Sequence, residues 1–257
     1  MTLVEILRKF PHLSVVPFNK TKLIGRDNEI QLLEESFHKK RMQNAILVGK
    51  AGVGKTAILE DFARRVKDKY IVLELSVASA VGGTQYRGQF EEKISKSLNE
   101  IKKFNSNSEN KKTIILFIDE IHTIYNAGAS EGGINLGNIL KPYLSRSEIT
   151  VIGATTLAEY NNTIRRDSAL IRRLTPIHIG ELGKDNVIKI MESFCKKKVK
   201  KEILEYIYEC SIVLGDDYSN PDACIEILDR CLARKETTES IIDKEMVDSI
   251  IKWLFVI

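Results

Sequence analysis

The sequence predicts an α/β fold built on a mainly parallel sheet, with a small helical domain after it. Up to about residue 180, short apolar or β-branched runs alternate with segments of helical spacing. The connections are long enough to hold helices, which favours parallel strands covered on both faces. After Gly180 the apolar residues keep helical spacing, and no strand is predicted. The predicted strands are Ala45–Val48, Tyr70–Leu75, Thr113–Ile118, Thr150–Ala154 and Ile177–Ile179.

The composition is that of a globular protein. The 257 residues are 43% hydrophobic and 29% charged, which excludes a disordered or disulfide-stapled chain. No apolar run approaches the roughly 18 residues of a membrane span, so we expect no membrane association. The four cysteines and four histidines show no zinc motif; the thiols are predicted to be buried and the histidines structural or exposed. This cysteine usage favours a reduced compartment, the cytoplasm or an organelle matrix or stroma.

Changes of texture divide the chain into three parts. Residues 1–22 carry Pro11 and Pro17, which interrupt any helix, so we expect only a short N-terminal segment there. Residues 23–180 are predicted to form the α/β domain. Residues 181–257 are predicted to form the small helical domain.

A glycine-rich phosphate-binding motif directly follows the predicted strand Ala45–Val48. Residues 49–56 satisfy the pattern G-x-x-x-x-G-K-[ST]. Glycines let successive N–H groups face a phosphate, and a helix that begins near Lys55 adds its positive end. Lys55 is expected on the β- and γ-phosphates, and Thr56 on Mg²⁺. The predicted nucleotide contacts are Gly49, Ala51, Gly52, Val53, Gly54, Lys55, Thr56 and Ala57.

Two adjacent carboxylates end a second buried strand. Asp119 and Glu120 directly follow the apolar run Ile114–Ile118. Neighbouring side chains of an extended chain point to opposite sides, so the two acids can hold different roles. Asp119 is expected to hold Mg²⁺, and Glu120 to act as general base on the attacking water.

Several motifs follow one another in an order typical of one family. They are Ile24-Gly25-Arg26-Asp27, the phosphate-binding motif, Tyr86–Glu92, Phe117–Thr123, Leu140-Lys141-Pro142 and Gly153-Ala154-Thr155-Thr156. Together they resemble the first ATPase module of Clp-family AAA+ unfoldases, densely over residues 23–180. The resemblance implies a P-loop AAA+ sheet domain with a helical lid, and a hexameric ring that binds ATP between subunits. It also implies a polypeptide substrate that is remodelled at the expense of ATP.

The resemblance assigns further residues to the nucleotide. Ile24 and Gly25 match the segment beside the adenine. Thr155 or Thr156 matches the polar sensor near the γ-phosphate, with Thr155 favoured, although either can be an ordinary strand-end threonine. Arg172 and Arg173 match the paired arginines that reach a neighbouring subunit's nucleotide, where a guanidinium neutralises charge on the transferring phosphoryl group.

The resemblance also implies a pore that grips polypeptide. Tyr86, Arg87 and Gly88 match the loop in which an aromatic side chain holds an extended substrate. A large, stiff ring suits this task because it offers apolar surface to any sequence at little entropic cost. The glycine-rich stretch with Gly128, Gly132 and Gly133 resembles a second pore loop.

Other features depart from the family pattern or leave alternatives open. Ala223 stands where relatives usually carry a lysine, which puts a direct phosphate contact from the lid in doubt. The lysine-rich run 196–201 is predicted to form a solvated helix face rather than a nucleic-acid site. The alternatives are a nucleic-acid ATPase of the loader type and a nucleotide-gated scaffold. The chain is predicted to be either part of a longer unfoldase or a free-standing single ring, and no protease partner or adaptor is identified.

Overall fold

The computed structural model describes residues 1–17, 22–39, 43–82, 87–125, 136–215 and 218–255. Contacts between residues group the chain into two compact units. The sheet unit comprises Met1–Lys22, Asn28–Gly49 and Lys55–His178. The helical unit comprises Leu23–Asp27, Lys50–Gly54 and Ile179–Ile257. No helix among the described residues is long and apolar enough to cross a membrane.

One sheet forms the centre of the sheet unit. Its strands are β1 (Leu13–Val15), β2 (Asn44–Val48), β3 (Tyr70–Leu75), β4 (Thr113–Ile118), β5 (Thr150–Thr155) and β6 (Leu174–His178). In the described part of the chain they lie in the order β1-β3-β4-β5-β2-β6. All neighbours pair in parallel except β1, which runs antiparallel to β3. The predicted α/β fold class with a mainly parallel sheet is confirmed.

The interior strands are mainly apolar because helices cover both faces of the sheet, although β2 begins with Asn44 and β3 contains Glu74. Every residue of β2 is buried, and so are the last five residues of β4. The helices of this unit are α1 (Leu3–Lys9), α2 (Asp27–His38), α3 (Lys55–Val66), α4 (Val77–Val81), α5 (Arg87–Ser106), α6 (Leu136–Ser145), α7 (Leu157–Asn162) and α8 (Ser168–Ile171), with 3₁₀ turns at Ile121–Tyr125 and Ile164–Arg166.

The N-terminal segment is more structured than its prolines indicated. Thr2 and Glu5 form a capping box that starts α1, which ends before Pro11. Strand β1 lies between the two prolines and pairs with β3 through Leu13–Leu75 and Val15–Leu73. A three-residue edge strand carries too little pattern to be recognised in sequence, so residues 1–22 appeared only as a lead-in. The structure groups them with the sheet unit.

The last strand starts earlier than predicted. We expected Ile177–Ile179, whereas β6 spans Leu174–His178 and includes Pro176. Proline lacks an N–H and discourages a strand prediction, but β6 lies at an edge of the sheet, where a missing donor is tolerated.

In the part of the helical unit that the structure describes, four amphipathic helices pack around a core of their own. They are α9 (Lys184–Phe194), α10 (Lys201–Ile212), α11 (Asp222–Thr238) and α12 (Lys244–Phe255). Val187, Leu204, Ile227, Leu228 and Val247 are fully buried in this core. The four cysteines are free, and Cys195, Cys224 and Cys231 are buried as predicted.

The lysine-rich run does not form the predicted helix face. It lies mainly in the turn between α9 and α10, where Lys196 and Lys197 have positive φ of 50° and 59°. The lysines of this run are exposed, as expected for solvated side chains, but the backbone forms a turn and not the expected helix.

Candidate active site

Three strand ends meet at the carboxyl edge of the sheet. Strand β5 lies between β4 and β2, and its register places Gly153 beside Ile118 and Thr155 beside Val48. The backbone N–H of Gly49 donates to the Thr155 carbonyl at 3.2 Å. The parallel register therefore brings the start of the glycine-rich motif, the acidic strand end and the predicted sensor threonine to one edge.

Lys55 brings an ammonium group to this edge of the sheet. It begins α3, and its Nζ donates to the Gly49 carbonyl oxygen at 2.9 Å. Burial lowers the pKa of Lys55, while the nearby carboxylates of Asp119, Glu159 and Glu120 act in the opposite direction. The ammonium group is thus partly desolvated and faces several carboxylates, an arrangement ready to exchange its carbonyl partner for an anionic oxygen.

The two acids predicted at the end of β4 occupy different environments. Asp119 is half-buried, and its Oδ1 accepts a hydrogen bond from the Glu120 N–H at 2.9 Å. Glu120 is exposed and has a φ of 45°, in the left-handed region that non-glycine residues rarely adopt. The next turn is closed by the Thr123 N–H, which donates to the Glu120 carbonyl at 2.7 Å. Such strain at a charged residue is typical of functional sites.

A hydrogen-bond cluster surrounds Thr155, the threonine that the sequence favours as the sensor. The Thr155 hydroxyl lies 3.0 Å from Nδ1 of His122, and Nε2 of His122 lies 2.9 Å from a carboxylate oxygen of Glu159. Thr156 instead caps α7: its hydroxyl accepts from the Glu159 N–H and donates to the Glu159 carboxylate at 2.8 Å. Of the two threonines proposed as sensor, Thr155 is the one joined to a histidine of the acidic strand end.

Sequence reasoning missed His122 and Glu159 as members of this site. His122, predicted to be structural or exposed, is half-buried three residues after Asp119. Glu159 stands three residues after Thr156, the spacing of a helix cap, which alone predicts only local structure. Their meeting depends on strand pairing between β4 and β5.

The rest of the glycine-rich loop belongs to the helical unit. Arg26 is 3% exposed, and one of its terminal nitrogens donates to the carbonyls of Val53 at 2.8 Å and Gly180 at 2.7 Å. Gly52 has a φ of 77°, and a Cβ there would lie 2.8 Å from Cβ of Asp222. Only glycine satisfies both constraints. Arg26 lies in the motif quoted for the family, but its role as a buried anchor of the loop was not predicted.

The other predicted nucleotide contacts show a range of exposure. Ile24 and Gly54 are half-buried, Gly25 and Ala51 are exposed, and Val53 is buried. Thr56 is exposed, and Ala57 half-buried, in the first turn of α3.

The two predicted arginines follow α8. Arg172 is exposed, whereas Arg173 is half-buried and its guanidinium donates to the Ala169 carbonyl. The Asn44 amide also donates to the Arg173 carbonyl at 3.1 Å, and its Oδ1 accepts from the Val151 N–H. Among the hydrogen bonds and ion pairs of the described residues, neither arginine joins the strand ends around Lys55. Arg165 and Arg166 are exposed, as predicted for solvated side chains.

The predicted pore residues lie at the border of the described part of the chain. Tyr86 lies outside the described residues, as do Gly128, Gly132 and Gly133. Arg87 begins α5, and Gly88 is exposed in its first turn.

The donor set at the strand ends fits a hard cation such as Mg²⁺. Within the described ranges no group of three or more histidine, cysteine, aspartate or glutamate side chains is arranged to hold a metal. Mg²⁺ does not need such a group, because it is usually held by one or two protein oxygens, substrate phosphates and water. Thr56 and Asp119 supply oxygens of that kind.

A glycine-rich loop between the buried strand β2 and a helix that begins at Lys55, with two acids at the end of β4, one strand away across β5, defines a P-loop nucleoside triphosphatase. Residues 45–177 match the family described as "ATPase family associated with various cellular activities (AAA)", and the chain belongs to that family. Membership implies that it binds nucleotide.

Comparison with known proteins shows which members of this large family the chain resembles. The chain is 39% identical to "Chaperone protein ClpB" of Aquifex aeolicus over 83% of its own length and 22% of the relative. It is 38% identical to "ATP-dependent Clp protease ATP-binding subunit ClpE" of Streptococcus pneumoniae, over 88% of this chain and 31% of the relative. A cryo-EM reconstruction of Hsp104 with ATPγS and FITC casein superposes with a TM-score of 0.76 and 27% identity, covering 91% of this chain and 43% of that one. The predicted resemblance to Clp-family ATPase modules is confirmed, and the chain spans less than a third of the two curated relatives.

Proposed function

We propose that this chain is an ATP-hydrolysing ring module that remodels, unfolds or threads polypeptide. The observation that carries the proposal is the convergence of Lys55, the Asp119–Glu120 pair and Thr155 at adjacent strand ends. The similarity to ClpB, a chaperone, and to Hsp104 solved with casein supports a polypeptide substrate.

In the proposed chemistry each residue at the strand ends has one task. Lys55 leaves the Gly49 carbonyl to neutralise the β- and γ-phosphates, while the loop N–H groups hold the remaining phosphate oxygens. Thr56 and Asp119 would hold Mg²⁺, which supplies charge neutralisation at the phosphates. Glu120 accepts a proton from the attacking water, a task that contributes about 10²–10⁴-fold in rate. Ile24 and Gly25 are proposed to contact the adenine.

A ring would complete the site. Arg172 and Arg173 are proposed to reach the nucleotide of a neighbouring copy in a homo-hexamer, where an arginine finger contributes roughly 10³–10⁵-fold. The exposure of Arg172 supports this role, since a guanidinium that acts on a neighbouring subunit must be accessible at the surface of its own subunit. Arg173 would first have to release the Ala169 carbonyl.

Tyr86, with Arg87 and Gly88, is proposed to grip the polypeptide in the central pore. A protease partner or adaptor is not assigned, and cytoplasmic location stays a prediction from the cysteine content.

The first experiment tests the hydrolytic role of Glu120. In Glu120→Gln the side chain keeps its size but cannot accept the proton, so we expect ATP binding within about twofold of wild type and hydrolysis at least 100-fold slower. Nucleotide affinity is measured by titration calorimetry and hydrolysis by phosphate release. Hydrolysis at the wild-type rate would refute the assignment of Glu120.

A second experiment separates polypeptide remodelling from the two alternatives. Tyr86→Ala should keep basal hydrolysis and lose movement of an unfolded fluorescent protein, with Tyr86→Phe as the control that keeps the ring. Hydrolysis stimulated by DNA rather than by unfolded protein would favour the loader alternative. Nucleotide-dependent assembly without turnover would favour the scaffold.

A further inference from the structure

The hydrogen bonds around Thr155 form a chain that runs through His122 to Glu159. Thr155 is 2% exposed at the end of β5, so its hydroxyl is held by protein atoms. Its oxygen lies 3.0 Å from Nδ1 of His122 but 3.5 Å from the Glu159 carboxylate, so the contact with the imidazole is the stronger one. Thr156 already donates to that same Glu159 oxygen at 2.8 Å.

We propose that His122 and Glu159 are positioning residues that fix the direction of the Thr155 hydroxyl. A carboxylate only accepts hydrogen bonds, so the 2.9 Å contact with Glu159 places a proton on Nε2 of His122. In a neutral imidazole the other nitrogen, Nδ1, then carries a lone pair and no proton. It accepts the single proton of the Thr155 hydroxyl.

The consequence for the site is that Thr155 presents lone pairs rather than a proton. A hydroxyl that donates to His122 can only accept from a third group. Phosphate oxygens are acceptors, whereas water can donate. This inference rests on the proposed ATPase function: Thr155 would orient the attacking water, alongside Glu120, rather than bind the γ-phosphate. His122 and Glu159 would act on hydrolysis through Thr155.

The imidazole state can be read without any hydrolysis. We would record long-range ¹H–¹⁵N correlations of the full chain labelled at histidine, with the His122 signals identified by their loss in His122→Asn. The expected result is a protonated Nε2 and an unprotonated Nδ1 in wild type, altered in Glu159→Gln because an amide can donate to Nε2 instead. A proton on Nδ1 in wild type would overturn the proposal, whatever the protein does with ATP.

Kinetics tests the functional consequence. Thr155→Val and His122→Leu should each lower kcat about 10–100-fold with KM for ATP changed less than about twofold. The double variant should be no slower than Thr155→Val alone, because the residues act as one unit. His122→Asn, whose amide oxygen can take the place of Nδ1, should recover part of the rate.

A matched control and a folding check accompany these variants. Glu226→Gln removes a carboxylate from an exposed pair with Arg230 and should leave kcat unchanged. If His122→Leu does not fold, the His122→Asn and Glu159→Gln variants and the imidazole spectrum decide. Additive losses in the double variant, or a wild-type kcat in His122→Leu, would overturn the proposal. Absence of hydrolysis in wild type would instead contradict the proposed function.

Discussion

Gly153 of β5 packs closely against Ile121, in the turn after the acidic end of β4, and this contact leads to a quantitative prediction. A Cβ added at Gly153 would lie 2.7 Å from Cδ1, 3.0 Å from Cγ2 and 3.2 Å from Cβ of Ile121. Side-chain rotation can move Cδ1 and Cγ2, but Cβ moves only with the backbone. Ile121 is 2% exposed and directly follows Glu120, so Gly153→Ala should displace the turn that carries the proposed general base.

The magnitude follows from overpacking. Extra methyl groups in a packed core cost about 1–3 kcal/mol of unfolding free energy, so we expect Gly153→Ala to lose that amount. A misplacement of about 1 Å at catalytic groups can cost roughly 100-fold in rate, so hydrolysis should fall by about 10–100-fold with a smaller shift. The assays are urea unfolding and phosphate release under saturating ATP.

Two variants make this test specific. Ile121→Ala removes Cδ1 and Cγ2, the atoms nearest to the new methyl group. The double variant with Gly153→Ala should therefore lose less unfolding free energy than the two single variants added together, by about 1 kcal/mol or more. Gly183→Ala is the matched control, because a Cβ there meets no atom within 4 Å. Wild-type stability and hydrolysis in Gly153→Ala would refute the claim that a Cβ at this position displaces Ile121.

Two further predictions concern stability and the loop. Burial, with Lys93 nearby, lowers the pKa of His12 from 6.5 to about 4, and its ring nitrogens have no hydrogen-bond partner among the described residues. As the pH falls, the unfolded chain therefore binds a proton at His12 before the folded chain does. The contribution of neutral His12 to the unfolding free energy is fully present above pH 6.5 and should fall by about 2 kcal/mol between pH 7 and pH 5. His12→Phe should flatten that slope in urea unfolding; an unchanged slope contradicts it. In Gly52→Ala the new side chain would have to adopt a φ of 77°, and its Cβ would lie 2.8 Å from Cβ of Asp222. This variant should therefore bind ATP about tenfold more weakly in calorimetry, and an unaltered affinity would contradict the prediction.

Much of the candidate site was readable from sequence because its parts are local. The glycine-rich motif with Lys55, and the Asp119–Glu120 pair, each lie within a few consecutive residues whose types predict one chemical role. Four of the five parallel strands, β2 to β5, were also readable, since a buried strand shows as a short apolar run bounded by polar residues, whereas β6 was predicted only at its end. Strand β1 was missed because three residues at a sheet edge carry no comparable pattern.

Residue order alone thus predicted the candidate residues at each strand end, and it correctly predicted the class of fold that holds them. Folding decided which of those ends become neighbours, and that set the partners of Thr155, His122 and Glu159. It also buried Arg26 against the carbonyls of Val53 and Gly180, which lie 27 and 154 residues away along the chain. The physical reason is that motif chemistry depends on adjacent residues, whereas hydrogen-bond direction, burial and close packing depend on atoms brought together from distant segments.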